Sequence, residues 1–124
     1  MAKRIVVKLD RQVLLAYDGK SAVYEFDCAT GDDAHPTNPG MFTVFRKHRY
    51  YRSRKYDAQM NFALFFSRDG KAIHESSGVA ATSYFRYFGI TSLGSHGCVR
   101  LASSDAETIF KWAPAGITVC VESA

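Results

Sequence analysis

The chain has 124 residues, 47% of them hydrophobic and 23% charged, with a formal charge of +4. That is enough for one domain with a real core and too little for two, and the balance excludes an intrinsically disordered chain. No stretch approaches the ~20 apolar residues that span a bilayer, and in "MAKRIVVKLD" Lys8 and Asp10 interrupt the apolar run too early for a signal-peptide core, so no Sec-type address is expected.

Taken in chain order, "RIVVKL" and "QVLLAY" are β-favouring runs, and Asp18-Gly19 supplies a hairpin turn into "SAVYEF". Alternation there puts Ala22, Tyr24 and Phe26 on one face, and the three runs read as a meander. "TGDDAHPTNPG" concentrates turn formers and reads as a loop, with Pro39-Gly40 at the centre of a type II turn. "MFTVF" and "MNFALFF" are further strands, separated by a polar stretch holding Arg46, Lys47, Arg49, Arg52, Arg54 and Lys55. "RDG" turns the chain into the strand "KAIHES".

From Glu75 to Gly94 small and polar residues surround "YFRYF" with no sustained period, which indicates loop with room for a short helix. "SSDAETIFKWA" is the one convincing helix. Ser104 and Glu107 form a capping box, Asp105 places negative charge in the first turn, Pro114 and Gly116 close it, and Ile109 and Trp112 point inward. "ITVCV" ends the chain as a strand. Many strands, one helix and no βαβ alternation define a mainly-β single domain over residues 1–124.

Three cysteines cannot all pair, and no C-x-x-C spacing suggests a zinc ribbon or redox dithiol. Cys28 and Cys120 sit in apolar, strand-like runs and read as inert core thiols, with mutual pairing open to them in an oxidising compartment. Cys98 differs. In "GSHGCVRL" it has an imidazole two residues before it, a glycine beside it and an arginine two residues after it. A thiol attacks a carbonyl only as thiolate and needs a base or a cation to become one. His96 is near in sequence, and His74 lies on the preceding strand, where the fold can bring it close. The amides of Gly97 and Cys98 are candidates for an oxyanion site, and Arg100 could clamp a substrate carboxylate. Metal binding is a poorer reading, since "HESSG" carries Gly78 where a second histidine ligand would stand, and His35 and His48 lie in loops without ligand spacing. No metal and no organic cofactor are expected.

"SHGCVR" resembles the signature of the L,D-transpeptidase catalytic domain, a Ser/Thr-His-Gly-Cys followed by a variable residue and Arg or Asn. The likeness continues in "ATGDDAHPTNPGMFTV", in "KAIHES" and in the helix "SSDAETIF", and so covers nearly the whole chain. It implies packed mixed β-sheets in a β-sandwich, with one helix after the catalytic motif. Carried over by position, Cys98 is the nucleophile, His74 its base, oriented by a main-chain carbonyl just after it, and Gly97 with Cys98 the oxyanion donors. Ser95 and His96 shape the site, Arg100 holds the family's cationic or amide position, and Met60 is assigned to substrate binding or to shaping the site. Twenty residues separate His74 from Ser95, more than is usual in the family, and "SYFRYFGI" reads as an enlarged loop over the site.

The implied function is a peptidoglycan transpeptidase that attacks tetrapeptide stems, releases D-alanine and forms 3→3 crosslinks. Water in place of the acceptor amine would make it a carboxypeptidase, and the same chemistry would serve a secreted antibacterial effector. The partner is the peptidoglycan stem peptide, met in the periplasm or cell wall by a specialised export route, unless the protein has a cytoplasmic form. The rival from another class is a nucleic-acid-binding module, in which the tyrosines and cations of "RKHRYYRSRKY" would stack on bases and meet phosphates. It leaves the cysteine motif unexplained, and no nucleic-acid partner is expected.

Overall fold

The structure is a computed structural model that describes residues 2–31, 36–53, 58–76 and 97–123. The meander forms as the residues suggest: β1 (Lys3–Lys8) pairs antiparallel with β2 (Val13–Asp18), and β2 antiparallel with β3 (Ser21–Asp27). Asp18 pairs with Ser21, so Gly19 and Lys20 make a two-residue loop. Gly19 takes φ 63°, the positive value that a tight hairpin asks of its first loop residue. The alternation in β3 is corrected by a bulge. Pairing passes from Ala16 and Tyr24 to Tyr17 and Ala22, which leaves Val23 extra, so Tyr24 and Phe26 pack on the core while Ala22 is exposed.

β4 (Gly40–Thr43) pairs antiparallel with β11 (Thr118–Glu122), and β11 pairs parallel with β1. The result is a mixed five-stranded sheet in the order β3-β2-β1-β11-β4. Pro39 and Gly40 do not form the type II turn expected of them: Gly40 opens β4 at φ 147°, against roughly 80° for that turn.

A second mixed sheet has the order β10-β9-β8-β5. Its members are β5 (Arg46–His48), β8 (Ala63–Phe65), β9 (Ala72–Glu75) and β10 (Val99–Leu101). The polar stretch after β4 is therefore more than a hairpin end. It holds β5 and also β6 (Arg52–Ser53), which pairs with β7 (Ala58–Gln59) as a separate ribbon. Its charge hid β5 from a reading based on apolar runs, and His48 lies at the end of that strand rather than in a loop. Lys47 points to the core side yet keeps its ammonium satisfied: Nζ donates to Phe110 O and Ala113 O, both at 2.7 Å, at the C-terminal end of the helix.

That helix, Ser103–Trp112, begins before the expected capping box. Ala102 is the N-cap without a side-chain cap, and Ala106 N–H already bonds Ala102 O at 2.9 Å, so Ser104 lies inside the first turn. Glu107 instead pairs with Lys111 one turn on, at 2.7 Å. Ile109 is buried as expected. Trp112 is half-buried, its ring meeting Tyr24 edge-on and its carbonyl accepting from Lys3 Nζ at 3.0 Å. The sheets close on one another over Ile5, Val7, Leu14, Val119 and Val121 from the first and Leu64, Ile73, Val99 and Leu101 from the second, with Ala106 and Ile109 of the helix completing the core. This is the β-sandwich of mixed sheets expected from the sequence.

Burial pushes the Lys47 ammonium below its ordinary pKa, and both of its hydrogen bonds close the helix end. Lys47→Met keeps the apolar stem and removes the donors, and should lower the unfolding free energy by about 2–3 kcal/mol in urea titrations.

Candidate active site

The second sheet has two faces. Strand alternation sends Leu64, Ile73, Val99 and Leu101 into the sandwich core, and the residues between them to the opposite side. There Ala63, Phe65, Ala72 and Cys98 form a second apolar cluster with Met60, against which Tyr51 packs. The parallel register of β9 and β10 aligns Arg100 with His74 and Val99 with Ile73. One step further back Cys98 meets Ala72, whose backbone amide hydrogen-bonds the thiol. Cys98, His74 and Arg100 therefore share the face away from the core. Two residues along one strand and one strand across amounts to roughly 8 Å between the Cα atoms of Cys98 and His74, a gap that an imidazole and a thiol can bridge.

Both groups are buried, Cys98 at 4% and His74 at 6% exposure. His74 Nδ1 lies 2.7 Å from Glu75 O. A carbonyl can only accept, so Nδ1 carries the proton and Nε2 is the basic nitrogen. This carbonyl immediately after His74 is the orienting group anticipated from the sequence. Burial, aided by the Arg100 charge, lowers the His74 pKa from 6.5 to about 4, against the opposing pull of the Glu75 carbonyl and carboxylate. Burial likewise raises the Cys98 pKa. The Ala72 amide, Lys71 and Arg100 act in the other direction, and Asp69 adds to the rise. Burial thus acts against charge on both groups. Arg100 is itself pulled below its ordinary pKa by burial and held up by the Cys98 charge.

Gly97 is required at its position. Its φ is 96°, and a Cβ there would sit 2.6 Å from Lys71 Cε and 3.3 Å from Pro36 O. Around it the backbone is held from several directions. Ala29 and Arg100 exchange N–H···O bonds of 3.0 and 2.8 Å, and the Thr37 hydroxyl donates to Gly97 O at 2.9 Å. Thr37 was not singled out from the sequence, and no local signal distinguishes it within its loop.

Met60 is 1% exposed and belongs to the Cys98 cluster. Ser95, His96, His35 and the expected enlarged loop lie outside the described residues. Cys28 is a fully buried core thiol as expected, but Cys120 is not. It lies on the outer face of the five-stranded sheet beside Val6, Val13 and Leu15, with Sγ 3.7 Å from Glu122 Oε2. None of the three cysteines is in a disulfide. Of the basic stretch, Lys47 is committed to the helix end, Arg46 lies over Phe65 at 4.5 Å, and Tyr51 meets Phe65 edge-on at 4.9 Å. Lys47 and Tyr51 are thus engaged in packing, while Arg46, Arg49 and Tyr50 are exposed. Among the described residues no three His, Cys, Asp or Glu side chains converge as metal ligands.

A cysteine entering one strand and a histidine on its parallel neighbour thus stand on one face of a mixed-sheet sandwich. The family model of the L,D-transpeptidase catalytic domain matches residues 2–121, and the chain belongs to that family. Among solved structures it is similar to an L,D-transpeptidase from Stackebrandtia nassauensis, at 25% identity and TM-score 0.85 over 99% of this chain and 56% of that one. It is also similar to one from Mycobacterium smegmatis, at 19% identity and TM-score 0.83 over 98% and 58%. A third, solved in complex with imipenem, gives 19% identity and TM-score 0.84 over 98% and 59%. The chain thus spans less than three fifths of each of these three solved chains. No curated protein matches it in sequence. No helix among the described residues is long and apolar enough to cross a membrane.

The His74 shift has a consequence for stability. Between pH 6.5 and 4 the unfolded chain binds a proton at residue 74 that the folded chain refuses, so stability falls as pH drops through this window and levels off below it. The loss should total about 3 kcal/mol, measured by urea unfolding at pH 7, 5.5 and 4, and His74→Gln should remove that part of the slope.

Proposed function

We propose that the protein is a peptidoglycan L,D-transpeptidase working through a Cys98 thioester. The observation that carries this reading is the β9–β10 register, which sets a thiol and an imidazole of fixed tautomer on one face of one sheet. In the proposed reaction the donor carbonyl is that of the diaminopimelate residue in a tetrapeptide stem. As it approaches, His74 Nε2 takes the Cys98 proton and the sulfur adds to the carbonyl carbon. Collapse of the tetrahedral species breaks the C–N bond, His74 returns the proton to the leaving amine, and D-alanine departs. The amine of a second stem then attacks the thioester, passes its proton to His74 and thence to the Cys98 sulfur, and completes a 3→3 crosslink. Water in that step gives carboxypeptidase activity instead.

In these steps the charge that develops as the oxyanion forms would be met by backbone donors. Arg100, on the same face, is the proposed partner for a stem carboxylate, and Arg46 over Phe65 adds positive potential at that face. Met60 and Tyr51 supply apolar walls beside the sulfur, and Gly97 contributes the close backbone approach. Ser95 and His96 are proposed to shape the remaining wall. The site of action is the periplasm or cell wall, where stems are found.

Cys98→Ala should reduce release of D-alanine from tetrapeptide muropeptides to the uncatalysed background, while Cys28→Ala, in the core away from this face, should retain it. Equal loss in both variants would remove the assignment. A carbapenem should add once to the protein, at residue 98, in intact and peptide mass spectra. A solved relative contains imipenem, which supports the choice of probe. New dimers against trimmed stems in muropeptides from treated sacculi separate transfer from hydrolysis.

A further inference from the structure

We infer that Thr37 is a positioning residue for the acylation step: its hydroxyl holds the Gly97–Cys98 peptide so that the Cys98 N–H is presented to the oxyanion. This deepens the acyl-transfer reading above and rests on it. Thr37 is 4% exposed, in the loop before β4, and sixty residues from the motif it touches. Its Oγ1 accepts from Gly31 N–H at 2.8 Å and donates its single proton to Gly97 O at 2.9 Å. Both bonds are made by one atom, so the hydroxyl has one rotamer that satisfies them.

A peptide unit is planar, and in the trans form its C=O and N–H point in opposite directions. Holding Gly97 O towards Thr37 therefore turns the Cys98 N–H towards the other side of that plane. Gly97 sits at φ 96°, a region in which a glycine backbone rotates at little steric cost. Without an anchor, the residue that allows the tight approach also allows the peptide to flip. The flip would withdraw the N–H and substitute a carbonyl oxygen, which repels an oxyanion.

The anchor is itself supported. Gln12 Oε1 accepts from Thr30 N–H at 3.0 Å, and Gln12 Nε2 donates to Thr30 Oγ1 at 2.6 Å and to Leu9 O at 2.9 Å. Cys28 N–H bonds Gln12 O at 3.0 Å. Segment 28–31 is thus tied to the β1–β2 connection on one side and, through Gly31, to Thr37 on the other. The polar chain runs from the first sheet to the nucleophile's own peptide.

The test compares Thr37→Val, which keeps the shape and loses the hydroxyl, with Thr37→Ser, which keeps the hydroxyl. Two rates are read on the intact protein: acylation by imipenem, and alkylation of Cys98 by iodoacetamide, followed by peptide mass mapping. Acylation passes through an oxyanion and alkylation does not. T37V should acylate about 10- to 100-fold more slowly, with alkylation within about twofold of the unsubstituted protein, and T37S should recover most of the acylation rate. If T37V does not fold, Thr37→Cys, a weaker donor of similar size, should show the same ordering. The inference is overturned if T37V acylates at the original rate, if both rates fall together, or if T37S is as slow as T37V. No imipenem adduct on the unsubstituted protein would overturn the acyl-transfer reading, and this inference with it.

Discussion

The arrangement of the site depends on one pairing, the parallel register between β9 and β10. Three residues of each strand are in register, and the hydrophobic ones, Ile73, Val99 and Leu101, face the sandwich core. Sliding either strand by one residue would send these side chains outward and bring His74 or Arg100 into the hydrocarbon. Packing energy on one face therefore fixes the chemistry on the other. The Ala29–Arg100 bridge grips the outer edge of β10, so the strand bearing the motif is held on both sides.

Burial shapes the electrostatics as strongly as proximity does. The same desolvation that lowers His74 raises Cys98, and each favours the neutral form of its group. Opposing it are a backbone amide at Ala72 and cations at Lys71 and Arg100, none of which is a base. Lys71 serves twice. Its side chain lies against Gly97, where a Cβ would displace it, and its ammonium, 3.4 Å from Asp69, contributes a positive potential tempered by that carboxylate.

Much of this was legible in the residues. The meander, the "KAIHES" and "ITVCV" strands, the helix and the Cys98 motif follow from apolar periodicity, turn residues and a characteristic string. What escaped did so for physical reasons. β5 is an edge strand rich in cations, and only its partner β8 and the carbonyls at the helix end make Arg46–His48 a strand. The capping box at Ser104 failed because β10 ends at Leu101 and Ala102 already starts the turn. Cys120 has apolar neighbours in sequence, yet the period of two in β11 turns it outward while Val119 and Val121 turn inward. Thr37 lies in a loop crowded with polar residues, and nothing local marks the one that returns to Gly97.

The first and last strands are neighbours in the interior of the five-stranded sheet, with Arg4 to Lys8 alongside Thr118 to Glu122. Between them lie both sheets' remaining strands and the helix. A nascent chain emerging from the ribosome, or threading through a translocation pore, has its opening strand long before the strand that completes its pairing. The meander is left with an open edge until β11 has emerged. Assembly is thereby coupled to the arrival of β11, and a polypeptide halted short of it lacks the strand on which β4 hangs.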